Sequence, residues 1–396
     1  MSNKWKKKEL GELATFFSGG TPSKSNDGFW GTEIPWITVR DMKQMHFKKS
    51  GLSLTQQGAS TIRIMPARTI FVLVRGMGLL KDFPVVYSEQ PATFNQDIKA
   101  LVAKKDIDPE FLAYSLVSKR AAILRLVDRA GHGTGRLDTD LLKETPISLP
   151  PKEDQNKIIR VLKTWDEAID KMQSLLGKRR CRFAEVSSRL FSPCHPSSQR
   201  QNAAEKLLTL GQLFTERAAT GQDSDVLLSI TMAEGVINQD EVGRRDSSTE
   251  DKSKYKLILP GDIGYNTMRM WQGVCGLSAL RGIISPAYTV VTPIASRLDA
   301  RYAFHLFKSK RMIHDFERYS QGLTSDTWNL KYPAFSEIKV FIPDLAVQVA
   351  QARYLDALKE EIEVLERQAE ALKSQKRGLM QKLLTGAWRI HSLGGE

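Results

Sequence analysis

An α+β fold built twice is what the 396-residue sequence predicts: two α+β globular domains separated by two long antiparallel coiled-coil helices, in a pseudo-twofold internal repeat. Three observations predict it. Segments recur at an offset near 193 residues, each copy ends in a heptad-patterned stretch, and in each copy short apolar strands precede a single helix.

The repeat comes first because a duplicated unit constrains architecture more than any short motif. Ile147-Ser148-Leu149-Pro150-Pro151 with Gln155 returns as Val340-Phe341-Ile342-Pro343-Asp344 with Gln348, and Trp36-Ile37-Thr38 matches Ser229-Ile230-Thr231, both at 193. The stretch from Asp108 to Arg120 returns from Asp299 to Arg311, and Leu10-Gly11-Glu12-Leu13 returns as Leu210-Gly211-Gln212-Leu213.

After Pro150-Pro151, residues suited to a first helical turn, apolar side chains fall at Ile158, Leu162, Trp165, Ile169, Met172, Leu176, Phe183, Val186 and Leu190. Their steps alternate four and three, and Arg179 breaks the seam once. The second copy gives Leu355, Leu358, Ile362, Leu365, Ala369, Leu372, Leu379 and Leu383, broken at Lys376. Each helix is expected to run about 40 residues, or about 60 Å at 1.5 Å per residue. So narrow a stripe cannot be buried alone, which predicts mutual pairing. A twofold relation between the copies requires that pairing to be antiparallel. Arg179 and Lys376 can fix its register or simply extend to water.

The first globular part has strand candidates at 36–39, 70–74, 85–87 and 98–103, then a helix over 109–127; the second has strands at 227–231, 256–259 and 288–291, then a helix over 300–316. The expected domains are residues 1–150, a helix over 151–192, a linker over 193–206, residues 207–342 and a helix over 343–390. Trp388-Arg389 echoes Trp5-Lys6, an expectation that the chain ends meet.

Composition narrows the function. A net charge of +13 favours a polyanionic partner, because each cation set against a phosphate releases counterions. The excess is uneven, +11 in residues 1–191 and +2 in 192–396. No run of about 18 apolar residues and no secretion signal occur, so a cytoplasmic protein without membrane contact is expected. Cys181, Cys194 and Cys275 form no CxxC pair, and Cys194-His195 is adjacent rather than at ligand spacing, which predicts neither a disulfide framework nor a metal site. GxxxxGK[ST], HExxH and GxSxG motifs are all missing, so no catalytic residue is expected.

What remains are loop residues of the kinds that touch double-stranded DNA. Ser18-Gly19-Gly20-Thr21-Pro22-Ser23-Lys24 offers Thr21, Ser23, Lys24 and exposed N–H groups for phosphates. Gly131-His132-Gly133-Thr134-Gly135-Arg136 reads as a flexible loop able to approach a nucleic-acid backbone. Arg40, Lys43, Arg75, Lys81 and Arg136 can reach phosphates or guanine O6/N7, and Asn95 and Gln96 carry amides suited to adenine. The second part offers Asn266, Arg269, Trp271, Gln272, Tyr288, Thr324, Trp328 and Asn329.

Taken with the repeat and the paired helices, the Gly19-Gly20-Thr21-Pro22-Ser23, Ile34-Pro35-Trp36-Ile37, Leu259-Pro260-Gly261-Asp262-Ile263 and Ser285-Pro286-Ala287-Tyr288 segments resemble the specificity subunit of type I restriction-modification enzymes. That resemblance implies two target-recognition domains, each reading one half of a bipartite asymmetric DNA site, with the helices setting the spacer. It implies two methyltransferase subunits docked on the helices and ATP-driven motor-nuclease subunits reached through the complex. S-adenosylmethionine, ATP and Mg2+ are then expected on the partner subunits and no cofactor on this chain. The first domain begins almost at residue 1, so any helical cap there is short. The competing readings are a bridging DNA-binding protein without a methyltransferase partner, and a nuclease with an unrecognised active site.

Overall fold

The computed structural model describes residues 5–129, 133–191, 205–222, 224–232, 234–242, 251–324 and 326–390. The chain divides into two units, Met1–Gln173 with Gln368–Glu396, and Ser174–Arg367. The expected linker around 192–202 lies outside the described residues, and Lys206 already belongs to a strand.

Unit 1 is built on a four-stranded antiparallel sheet in the order Ala14–Ser18, Ile98–Ala103, Thr69–Leu73, Val85–Ser88. Its middle strand Thr69–Leu73 is buried throughout, as a continuous β-branched and aromatic run should be. The short ribbon Lys6–Glu9 against Pro146–Leu149 closes the domain at the point where the chain leaves for the first long helix. A second sheet, Trp30–Gly31, Leu52–Leu54, Ile34–Ile37 and Thr93–Phe94, carries the outlying part.

Unit 2 repeats this frame. Its main sheet runs Phe214–Glu216, Tyr288–Pro293, Ile263–Asn266, Cys275–Leu277, and its closing ribbon pairs Lys206–Thr209 with Lys339–Ile342. Its outlying part instead has two separate ribbons, Leu228–Thr231 with Gly235–Asn238 and Lys256–Ile258 with Gly282–Ile284.

Each unit also repeats one buried joint. In unit 1 the Gln155 side chain, 1% exposed, accepts from the Asp108 N–H at 2.8 Å and donates to the Pro150 carbonyl at 3.0 Å. In unit 2 the Gln348 side chain, also 1% exposed, accepts from the Asp299 N–H at 3.0 Å and donates to the Pro343 carbonyl at 2.8 Å. Asp108 and Asp299 in turn cap the helices Pro109–Ser118 and Ala300–Phe307 by accepting from the following N–H groups. One glutamine therefore ties the start of a long helix to the start of the helix that docks beside it.

The single helices expected over 109–127 and 300–316 are each broken. The first helix ends at Lys119 (φ −90°, ψ 0°), a short helix Arg120–Leu124 follows, and Val127 begins the strand Val127–Arg129. In unit 2 the break falls at Lys308, because the Ser309 hydroxyl caps a new helix, Lys310–Tyr319, by accepting from Met312 N–H. The strand expected over 36–39 stops at Ile37, where Thr38 and Asp41 form a capping box around the turn Val39–Asp41.

The two long helices are Lys152–Phe191 and Leu345–Leu384, each 40 residues. In unit 1, Ile158, Ile159 and Leu162 pack with Met380, Leu383 and Leu384, and Asp166 pairs with Lys376. In unit 2, Arg180 pairs with Glu366 at 2.6 Å and the Arg182 guanidinium donates to the Tyr354 hydroxyl at 2.9 Å. Numbers rise on one helix as they fall on the other, so the pair is antiparallel. Of the seam residues, Ile158, Leu162, Ile169, Leu355, Leu358 and Leu365 are buried, and Trp165, Met172, Leu176, Phe183, Ile362, Leu372 and Leu379 half-buried. Full burial of one such leucine stabilises by about 2 kcal/mol. Arg179 and Lys376 both find carboxylates on the other helix, Arg179 meeting Glu361 at 2.7 Å.

The second helix ends at Leu384 rather than near 390, because Gly386 takes φ +77° and turns the chain back. A Cβ there would stand 3.1 Å from the Trp5 ring, so Trp5 and the C-terminal turn do meet.

Candidate nucleic-acid interface

In unit 1 the predicted residues fall into separate groups. Thr21 donates its hydroxyl to Gln96 Oε1 at 2.7 Å, Trp36 Nε1 donates to the Gly20 carbonyl at 3.0 Å, and the Asn95 N–H donates to Ile37 O at 3.1 Å. Gly19 has no room for a side chain, since a Cβ would collide with the Phe94 and Asn95 carbonyls. The Asn95 amide donates to Asp97 at 3.2 Å while its Oδ1 is buried and unpaired among the described residues. Thr21, Asn95 and Gln96 thus form one cluster, with exposed Ser23 and Lys24 on the same loop.

Arg75 and Arg136 form a second cluster. They lie opposite one another on the strands Arg75–Gly76 and Gly135–Leu137, both exposed. Thr134 immediately precedes that strand, half-buried, whereas Gly131-His132 lies outside the described residues. Lys81 is exposed at the end of the turn Met77–Leu80. Arg40 and Lys43 stand elsewhere, lining a cleft of 550 Å³ with Gln44, Lys48 and Lys49. Lys48 meets Asp170 of the first long helix at 2.7 Å.

In unit 2, Asn266 and Tyr288 are opposite one another at the end of the main sheet. Asn266 Oδ1 accepts from the Met268 N–H at 3.0 Å, which sets the turn carrying exposed Arg269. Trp271 Nε1 donates to Met268 O at 3.0 Å, and its ring meets Trp328 edge to face with centroids 5.4 Å apart. Gln272 does not join them, lining instead a 460 Å³ cavity with Phe183, Phe304, His305 and Ile362. Thr324 and Asn329 sit on one loop: the Thr324 N–H donates to Thr327 Oγ1, and the Asn329 amide donates to Gln321 O at 3.3 Å.

Residues 2–176 match the family model described as a type I restriction modification DNA specificity domain. The chain is similar to the type I restriction enzyme EcoR124I/EcoR124II specificity subunit of Escherichia coli, 32% identical over 162 residues, 40% of each chain. The MjaIX specificity subunit of Methanocaldococcus jannaschii is 29% identical over 175 residues, 42% of this chain and 39% of the relative. The chain therefore spans about two fifths of the length of these curated relatives. The fold is shared over nearly the whole chain with the type I restriction-modification S subunit of M. genitalium, at 16% identity and a TM-score of 0.60, covering 97% of each.

Where the specificity domain of unit 1 meets the long helices, Tyr114 donates to Asp166 at 2.6 Å and Glu110 pairs with Lys163 at 3.0 Å and His46 at 2.7 Å. Burial, and then the Asp166 carboxylate, hold the Tyr114 phenol far above its ordinary range. In unit 2 the corresponding residue is His305, whose Nε2 faces Asp356 at 2.7 Å, while Arg301 faces Asp356 at 3.7 Å. Burial lowers the His305 pKa, with Asp356 opposing.

Among the described residues no group of three or more His, Cys, Asp or Glu side chains forms a metal site, and no helix is long and apolar enough to cross a membrane. Sequence reasoning passed over Lys48, Lys49 and Asp128. The adjacent lysines were a readable signal, whereas Asp128 matters only because a strand places it opposite Arg136.

Proposed function

We propose that this chain is the DNA sequence-recognition subunit of a type I restriction-modification complex, each unit reading one half of a bipartite asymmetric site. The observation that carries the reading is a single frame built twice, identical at its buried joints and different in its exposed loops. A frame of that kind supports two addresses. The loops offer guanidinium, amide, hydroxyl and indole groups of the types that contact phosphates and base edges. The chain chooses the site and contributes no catalysis. Two methyltransferase subunits carrying S-adenosylmethionine modify adenine, and motor-nuclease subunits use ATP and Mg2+ to cleave unmodified DNA.

Genome-wide mapping of adenine methylation with and without the gene tests this. The expected result is loss of one bipartite motif. Unchanged methylation together with retained DNA binding would instead support a bridging protein without a methyltransferase, and metal-dependent cleavage by the purified chain would establish a nuclease.

A further inference from the structure

We infer that the cross-strand pair Arg75 and Arg136 reads guanine in the half-site bound by unit 1, and that the same two positions in unit 2 carry no such reader. The inference rests on the DNA-recognition reading above and assigns a base to one of its loops.

Arg75 and Arg136 are direct partners on neighbouring antiparallel strands, and both are exposed. Like charges set directly opposite one another destabilise a sheet, so the folded chain alone gains nothing from this pair. Neither guanidinium forms an ion pair among the described residues. The next residue in the same cross-strand row is Asp128, the partner of Arg136 on Val127–Arg129, also exposed and without an ion pair there. A phosphate held along this row would be repelled by that carboxylate. A G·C pair fits it better, because guanine presents the O6 and N7 acceptors and cytosine the N4 amino donor in the major groove.

Unit 2 supplies the contrast. The Leu137 N–H donates to Val74 O at 2.9 Å, and the Leu330 N–H donates to Thr267 O at 2.8 Å, both residues displaced by 193. That shared bond fixes the alignment of the two loops. Arg75 then corresponds to Met268, which is 50% exposed, and Arg136 to Asn329. No guanidinium occupies either position. Arg269 takes the place of Gly76, one residue out of register.

The test measures DNA binding by the full-length chain in its complex, at fixed salt, on duplexes bearing each base in turn at every half-site position. In the wild type, 7-deazaguanine at one position of the unit 1 half-site should weaken binding about 10- to 100-fold, since it removes the N7 acceptor. This arm needs no variant to fold. Arg75→Met with Arg136→Asn should abolish selectivity at that position, and Arg136→Lys should keep general affinity while losing the discrimination, because an ammonium lacks the bidentate fork. Met268→Arg with Asn329→Arg should create a guanine preference in the other half-site. Weakening that is uniform over all duplexes with a shallower salt slope would overturn the inference in favour of phosphate contacts, as would indifference to 7-deazaguanine at every position. A wild type with no sequence preference at all would overturn the recognition reading itself.

Discussion

At the point where each globular domain docks against the long helices, unit 1 places Glu110 on the docking helix and Lys163 on the long one, whereas unit 2 places Arg301 on the docking helix and Asp356 on the long one. The acid and the base have changed sides between corresponding positions. Tyr114 and His305 also correspond, each bonded to a carboxylate on the following long helix. The difference teaches that the frame specifies where a polar contact must be made and leaves its chemistry free to differ between the copies. The buried glutamines and the aspartates they bind kept both place and chemistry, since a helix start without an amide there leaves main-chain groups unpaired.

Reversing one side of a junction should break the comparison most strongly. Glu110→Lys sets two ammonium groups beside a buried position and should cost about 3 kcal/mol, read by chemical denaturation. Adding Lys163→Glu should recover most of it by copying the polarity of unit 2. The exposed Arg301–Asp356 pair should contribute about 1 kcal/mol or less.

The two glutamines test whether the frames are equivalent. Gln155→Leu and Gln348→Leu each leave a buried N–H without its acceptor, and each should cost about 2 kcal/mol. Destabilisation by only one of the two variants would show that a single unit relies on the joint.

Acid should separate the units further. His305 has a folded pKa below its unfolded value of about 6.5, so its neutral form favours folding above that pH and the favour fades as pH falls through and below it. Protection against hydrogen exchange in unit 2, taken relative to the intrinsic rate at each pH, should therefore fall on moving from pH 7 to pH 5, and His305→Gln should flatten the change. Tyr114, held protonated, gives unit 1 no such dependence.

The smallest effects belong to the cations lining the cleft of unit 1. Arg40→Ala or Lys43→Ala should weaken binding to all sequences alike and lower the salt slope by about one for each phosphate left without its cation. Selectivity that changed at one base position would turn either residue into a base reader.

The frame was legible because its signals are local or periodic. Apolar steps of three and four and the Pro-to-Gln spacing at each helix start both survive duplication. The breaks at Lys119 and Lys308 were not, since each helix gives way at once to another and the apolar pattern runs across the interruption. Candidate loop residues could be named by type, yet their grouping follows from strand pairing. Arg75 and Arg136 are 61 positions apart and become neighbours only through the register of two short strands. Gln272, beside Trp271 in sequence, lines a cavity that Trp271 does not, because neighbouring residues of the turn Met270–Gln272 point different ways.

The inverted junctions bear on how such a gene diversifies. Recombination between the two repeats of a single gene would set Glu110 over Asp356, or Arg301 over Lys163, and deliver a misfit. The swapped polarity thus works as a key: each docking helix suits the long helix of its own unit and not that of the other.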